Sequence, residues 1–298
     1  MGIWSGERDV AVRAAARKNA AGGCVSSDGE AMTSHAPHPT PYPEVNAVLQ
    51  AVLVGVRPLL GARLVGMYVH GSLASGDFNP QRSDIDFVVV TAGELPDGLL
   101  AALAAMHAQI YASGLPWATR MEGSYIPQQA IRRYDPAHAR HPALRTDGSF
   151  ELDQHSSDWV IQRHILREHG LVLVGPDPRT LIDPLQPDDL QRAVVGVLHE
   201  WWAPQLHDHT RLRHSDYQAY AVLTMCRARY TLAHGAVASK PVAARWAQAA
   251  LDARWAALIE RSLAWRPGMQ LEELEATLAL IRSTLEQADQ HARLLERP

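Results

Sequence analysis

The chain has 298 residues, 47% of them hydrophobic and 20% charged, with a formal net charge of −4. That balance suits one large or two ordinary globular domains and excludes a disordered chain. It also lacks the basic surface of a nucleic-acid binder, so a small-molecule enzyme with a cationic rather than an anionic partner is the reading it favours.

Residues 1–40 are rich in Ala, Gly, Ser, His and Pro and read as a flexible extension, or as translation begun upstream of a start at Met32. The extension has basic residues but no apolar core of the signal-peptide kind. The longest apolar stretches, such as VNAVLQAVLVGV, are broken by polar residues, so no membrane span is expected. Cys24 and Cys226 read as free thiols of a reducing compartment, and a cytoplasmic monomer is expected.

From Tyr42 the pattern becomes orderly. PEVNAVLQAVLVGVRPLLG has helical spacing, with Pro43 at its start and Gly61 after it. LVGMYVHG reads as a strand ending at Gly71. DIDFVVVT reads as a second strand, buried on both faces where Phe87 to Val90 show no alternation. DGLLAALAAMHAQIYASG is a helix closed by Gly114, and WATRMEGSYIP alternates as a strand does. RRYDPAHARHPALRTDGS carries turn residues throughout and reads as a loop. SDWVIQRHILREHG is a helix with Ser157 or Asp158 as cap and Gly170 as stop, followed by the short strand LVLVGP and a proline-rich connection. Beyond it, segments 190–205, 214–235, 240–263 and 271–294 are helical. The fold class expected is α+β: a mixed sheet with helices over 41–185, then an all-helical bundle over 186–298.

The chemistry concentrates in GSLASGDFNPQRSDID, Gly71 to Asp86. Side chains alternate along a strand, so Asp84 and Asp86 share a face with Cα atoms roughly 6–7 Å apart. Two carboxylates at that distance repel unless a cation lies between them, and hard oxygen ligands of this kind suit Mg²⁺ together with phosphate oxygens. The Gly71-Ser72 turn after the first strand offers backbone N–H groups and a hydroxyl for phosphate. A phosphate grip and a metal clamp on adjacent strands describe phosphoryl or nucleotidyl transfer. Glu122, on the next strand after a helical crossover, is placed to be a third metal ligand or a general base for an acceptor hydroxyl. Of the fifteen histidines, the cluster His199, His207, His209 and His214 has no pair at a clean i, i+4 zinc spacing flanked by a third ligand.

With those residues in view, HGSLASGDFNPQRSDIDFVVV resembles the Gly-Ser…Asp-x-Asp core of the DNA polymerase β-like nucleotidyltransferases. REHGLVLVGPDPRTLIDPLQPDDL and VLTMCRARYTLAHGAVASKPVAARWA are similar to later parts of the aminoglycoside (3'')(9)-adenylyltransferases, the streptomycin and spectinomycin resistance enzymes. The resemblance implies an N-terminal nucleotidyltransferase domain, an all-α C-terminal domain and Mg-dependent transfer of AMP from ATP to a hydroxyl of a small, cationic antibiotic. It implies that Ser72 and Ser83 contact ATP phosphates, that Asp84 and Asp86 hold Mg²⁺ and that Glu122 is the base. It also implies that Arg227 and Lys240 reach across to the nucleotide from the helical domain. On the acceptor side the chain departs from the family. LRTDGSFELD lacks the tryptophan found there, and Asp216 stands close to one acidic position while Tyr217 and Tyr220 occupy the strict alignment. The acceptor therefore stays open, with AMP transfer to a protein or a non-catalytic nucleotide-binding role as alternatives.

Overall fold

A computed structural model describes residues 39–295. The expected extension lies outside that range except for its last two residues, and Cys24 lies outside it too. The first helix, α1 (Pro43–Leu60), has Pro43 in its first turn, and the chain turns at Gly61. By length and composition alone α1 could cross a membrane. Its apolar stripe, Val45, Val48, Leu49, Val52 and Val56, is instead wholly buried against the sheet.

Six strands build one mixed sheet. β1 (Leu64–Val69) and β2 (Ile85–Thr91) pair antiparallel, with the short α2 (Gly71–Ser75) between them. α3 (Asp97–Tyr111) crosses over so that β3 (Met121–Pro127) runs parallel to β2. After α4 (Gln128–Arg132), β4 (Arg140–Leu144) and β5 (Phe150–Gln154) continue the sheet as an antiparallel hairpin. The segment read as a loop thus contains a strand and leads into another. The hairpin signal was present as Asp147-Gly148, whose glycine takes φ +83 in the turn. α5 (Asp158–His169) ends at Gly170 as expected, and β6 (Leu171–Val174) returns to pair with β1, giving the order β5-β4-β3-β2-β1-β6.

The pleat divides the core between two faces. Met67, Val69, Phe87, Val89, Met121 and Tyr125 pack under α1 and α3. Tyr68, Val88, Val90 and Ile126 face Trp159 and Leu166 of α5. α6 (Pro178–Leu181) closes that second face, and α7 (Pro187–Val197) begins the helical part. Ile161 and Ile165 of α5 pack with the helical core, so one helix is shared by sheet and bundle. α8 (Ser215–His234) is the bundle's central helix, flanked by α9 (Lys240–Ala250), α10 (Ala256–Ala264) and α11 (Leu274–Leu295). The segment expected as one helix over 240–263 breaks between α9 and α10. There the Asp252 side chain accepts from the Arg254 N–H and starts a new turn. Trp202 is enclosed in the helical core beside Tyr217 and Tyr220.

One glycine governs how closely β2 and β3 approach. A Cβ on Gly123 would lie 2.1 Å from Phe87 Cζ, and these two residues are register partners. Gly123→Ala should therefore cost about 1–3 kcal/mol by overpacking, read as a lower urea midpoint.

Candidate active site

The parallel register of β2 and β3 sets Asp86 directly opposite Glu122. Both side chains project from the sheet on the α5 side, at the end where the two strands begin, and Asp84 precedes β2 by one residue. Part of the Asp86 surface opens to a cleft, yet the group is enclosed enough that burial pushes its carboxyl well above the usual range. The negative charges of Glu122 and Asp84 push it further the same way. The three acids therefore form a concentration of negative charge that asks for a cation.

The turn leaving β1 backs onto this cluster. Gly71 has φ +69, and a Cβ there would sit 2.0 Å from Asp86 Oδ2. The His70 N–H donates to the Asp86 carbonyl at 3.0 Å. Only glycine satisfies both the left-handed backbone and the close approach. The loop before Asp84 is tied to itself: Asn79 O accepts from Arg82 N at 3.0 Å and Ser83 N at 2.8 Å, while Ser83 Oγ accepts from Asn79 N at 2.9 Å. Accepting that bond leaves the Ser83 O–H to act as a donor.

Across a cleft of about 820 Å³ stand α8 and the start of α9. Ser72, Ser83, Asp84, Asp86 and Glu122 line it from the sheet side, and Asp216, Tyr220, Arg227 and Lys240 from the helical side. Arg227 is buried, with Nε donating to the Ala238 carbonyl at 3.1 Å, and burial lowers its guanidinium to about 10, still charged at neutral pH. Lys240 Nζ lies 5.0 Å from the Tyr220 ring centroid, at a helix start where Ser239 Oγ accepts from Val242 N at 3.3 Å. Asp77, on the sheet side, has its carboxyl raised by burial, with Ser239, Arg227 and Lys240 across the cleft offsetting part of the rise. The two walls are thus within electrostatic reach of each other.

Of the candidates on the helical side, Tyr217 does not line this cleft. It is buried, and its hydroxyl accepts from Trp201 Nε1 and Gln205 Nε2, both at 3.1 Å. Gly71 lies beneath the cleft floor rather than on it, as its contact with Asp86 requires. Residues at or beside the cleft that escaped the sequence reading include Asp77, Arg82, Arg120 and Trp265. Asp77 and Arg82 stand between the Gly-Ser and Asp-x-Asp pairs, and Arg120 stands two residues before Glu122, so proximity to the motifs was their signal. Trp265, whose carbonyl accepts from Arg82 Nη1 at 3.0 Å, had none, because a fold-level contact brings it there.

The donor set fits a hard divalent cation. Among the described residues no group of three His, Cys, Asp or Glu side chains closes into a cage. Mg²⁺ ordinarily takes one or two carboxylates and completes its shell with phosphate and water, which a pair of aspartates at an open cleft permits.

Comparison with known proteins bears on the fold and the family. The family described as "Nucleotidyltransferase domain" matches residues 57–159, and "Aminoglycoside adenylyltransferase, C-terminal domain" matches residues 180–291. An aminoglycoside (3'') (9) adenylyltransferase of Shigella flexneri is 27% identical over 228 residues, covering 72% of this chain and 83% of the relative. A spectinomycin 9-adenylyltransferase of Staphylococcus aureus is 24% identical over 222 residues, covering 68% and 77%. The crystal structure of spectinomycin adenyltransferase AAD(9) from Enterococcus faecialis with ATP and spectinomycin shares the fold. Its TM-score is 0.61 at 19% identity, over 80% of this chain and 98% of that one.

Two outcomes follow from the geometry. Gly71→Ala should lower turnover at least about 100-fold with the fold retained, because the added methyl displaces the Asp86 carboxylate; circular dichroism and steady-state rates check it. For Asp86 the raised carboxyl means that the metal-free folded chain holds a proton the unfolded chain has released. The Asp86 contribution to the stability of the metal-free chain should thus fall as pH rises above the ordinary carboxylate value of about 3.9. Asp86→Asn removes that penalty, so the metal-free variant should melt higher at neutral pH, by about 2–4 °C per kcal/mol relieved, while losing activity.

Proposed function

Because the chain belongs to the aminoglycoside adenylyltransferase family of nucleotidyltransferases, we propose that it transfers AMP from ATP to a hydroxyl of an aminocyclitol antibiotic such as spectinomycin. The observation that carries this reading is the in-register pair Asp86–Glu122, with Asp84 beside it, facing Arg227 and Lys240 across one cleft. We place the boundary between the catalytic and helical domains near residue 185, so that the cleft is the space between them.

In this reading Asp84 and Asp86 hold Mg²⁺, which when bound neutralises charge on the phosphates of ATP. Ser72, the Gly71 backbone and the Ser83 hydroxyl bind phosphate oxygens, and Arg227 and Lys240 carry the charge that builds on the departing pyrophosphate. Glu122 accepts the proton of the acceptor hydroxyl. The hydroxyl oxygen forms its bond to the α-phosphorus as the bond to the β-phosphate oxygen breaks, and that electron pair leaves with pyrophosphate. Asp216 and Tyr220, on the helical wall, are the candidates for contact with the acceptor. A cationic antibiotic suits Asp216 and the acidic balance of the chain.

The test is pyrophosphate release from Mg-ATP with a panel including spectinomycin and streptomycin. Release with spectinomycin is expected. A folded protein that binds ATP and releases none with any member would overturn the assignment. Glu122→Gln should lower kcat by roughly 10²–10⁴ while ATP binding by calorimetry is retained.

A further inference from the structure

Arg120 lies outside the motifs, but its guanidinium holds the loop that presents Ser83 and Asp84. Nη1 donates to the Pro80 carbonyl at 2.9 Å, Nη2 donates to the Ser83 carbonyl, and Nε lies 3.5 Å from Asp84 Oδ1. The main chain of the same residue accepts from the Ile85 N–H at 2.8 Å. Side chain and backbone of Arg120 therefore touch the loop on both sides of Asp84.

The guanidinium is itself aimed by an aromatic support. Its Cζ stands 4.6 Å from the Trp117 ring centroid. Trp117 is the one non-glycine residue with positive φ among those described, at +73. It occupies the third position of a turn closed by the Ala118 N–H on the Leu115 carbonyl at 3.1 Å, with Pro116 before it. That is the place a type II turn reserves for glycine or asparagine. The Trp117 ring packs on Phe78 at 5.1 Å, and Phe78 on Tyr42 at 4.8 Å, so the strained residue is anchored back to the start of α1. A strained backbone persists where surrounding structure over-determines it, commonly at functional sites.

We propose that Arg120 is the positioning residue for Asp84, and that Trp117 bears its backbone strain in order to aim Arg120. The inference rests on the reading of Asp84 and Asp86 as the carboxylates that hold the metal. Two loop carbonyls fix the plane of the guanidinium, the indole fixes its face, and the remaining N–H edge turns Asp84 Oδ1 to a set orientation. Its charge also offsets part of the repulsion among Asp84, Asp86 and Glu122, which lets the three acids stay together before metal arrives. Lysine cannot replace it, since a point charge has neither the plane to stack nor the fork to reach three acceptors.

The test measures Mn²⁺ binding by electron paramagnetic resonance, with a non-hydrolysable ATP analogue present, alongside thermal melting of the same proteins. Arg120→Met and Arg120→Lys should both weaken Mn²⁺ binding, by about 10–100-fold. Trp117→Leu should weaken it in the same direction and Trp117→Phe should restore part of the loss, with melting temperatures close to the parent's. Should Arg120→Met fail to fold, Arg120→Lys and the Trp117 pair decide the matter. Mn²⁺ binding unchanged or tighter in folded Arg120 variants would overturn the role of Arg120. Equal binding in Trp117→Leu and Trp117→Phe would overturn the role of the indole. A parent protein that binds no Mn²⁺ would instead remove the metal-site reading on which both depend.

Discussion

Three carboxylates that repel one another are held together by a parallel strand pair, and much of the molecule can be understood as what makes that arrangement tolerable. β2 and β3 lie in a register that places Asp86 against Glu122. A shift by one residue would turn one of them to the opposite face, among the apolar side chains under α1 and α3. The register is held by packing at both faces and by the contact of Phe87 over Gly123. The energy that confines like charges thus comes from apolar burial some distance along the same strands, where it is available in quantity.

The surroundings answer the charge in two ways. On the sheet side the guanidinium of Arg120 lies beside Asp84, and the bare backbone of Gly71 lets Asp86 sit without a steric neighbour. On the helical side Arg227 and Lys240 face the cluster across the cleft. Arg227 retains its charge despite burial, because a guanidinium lowered to about 10 is still protonated at neutral pH. A cleft with the acid cluster on one wall and Arg227 and Lys240 on the other suits a metal-bound polyphosphate, whose metal and phosphates pair with opposite walls. α5 contributes to both cores, so the geometry across the cleft is set by a rigid element rather than a linker.

Much of this was legible in the sequence because it depends on short-range pattern. Strand alternation, the Gly-Ser turn and Asp-x-Asp pointed to nucleotidyl-transfer chemistry, and the apolar run from Phe87 to Val90 marked a strand covered on both sides. The hairpin of β4 and β5 was not seen, although Asp147-Gly148 is a hairpin turn, because prolines and charges around it matched a loop equally well. The strand expected from Trp117 begins only at Met121, since Pro116-Trp117 forms a turn whose strained backbone no propensity would assign to tryptophan. Tyr217 was a candidate for the acceptor side because it occupies an acidic position of the family's alignment, yet on α8 it faces Trp201 and Gln205.

The sequence by itself pointed to the class of chemistry, nucleotidyl transfer, because a Gly-Ser turn and an Asp-x-Asp pair on adjacent strands are the kind of oxygen donors such chemistry uses. Tertiary structure decided how those donors are combined and supported. It set Glu122 opposite Asp86, brought Arg120 to Asp84, turned Tyr217 away from the cleft and carried Trp265 to Arg82. Each of these depends on strand register, on the phase of a long helix or on contacts between residues far apart in the chain. These are settled by how whole faces bury against one another, a quantity that no local stretch of residues contains.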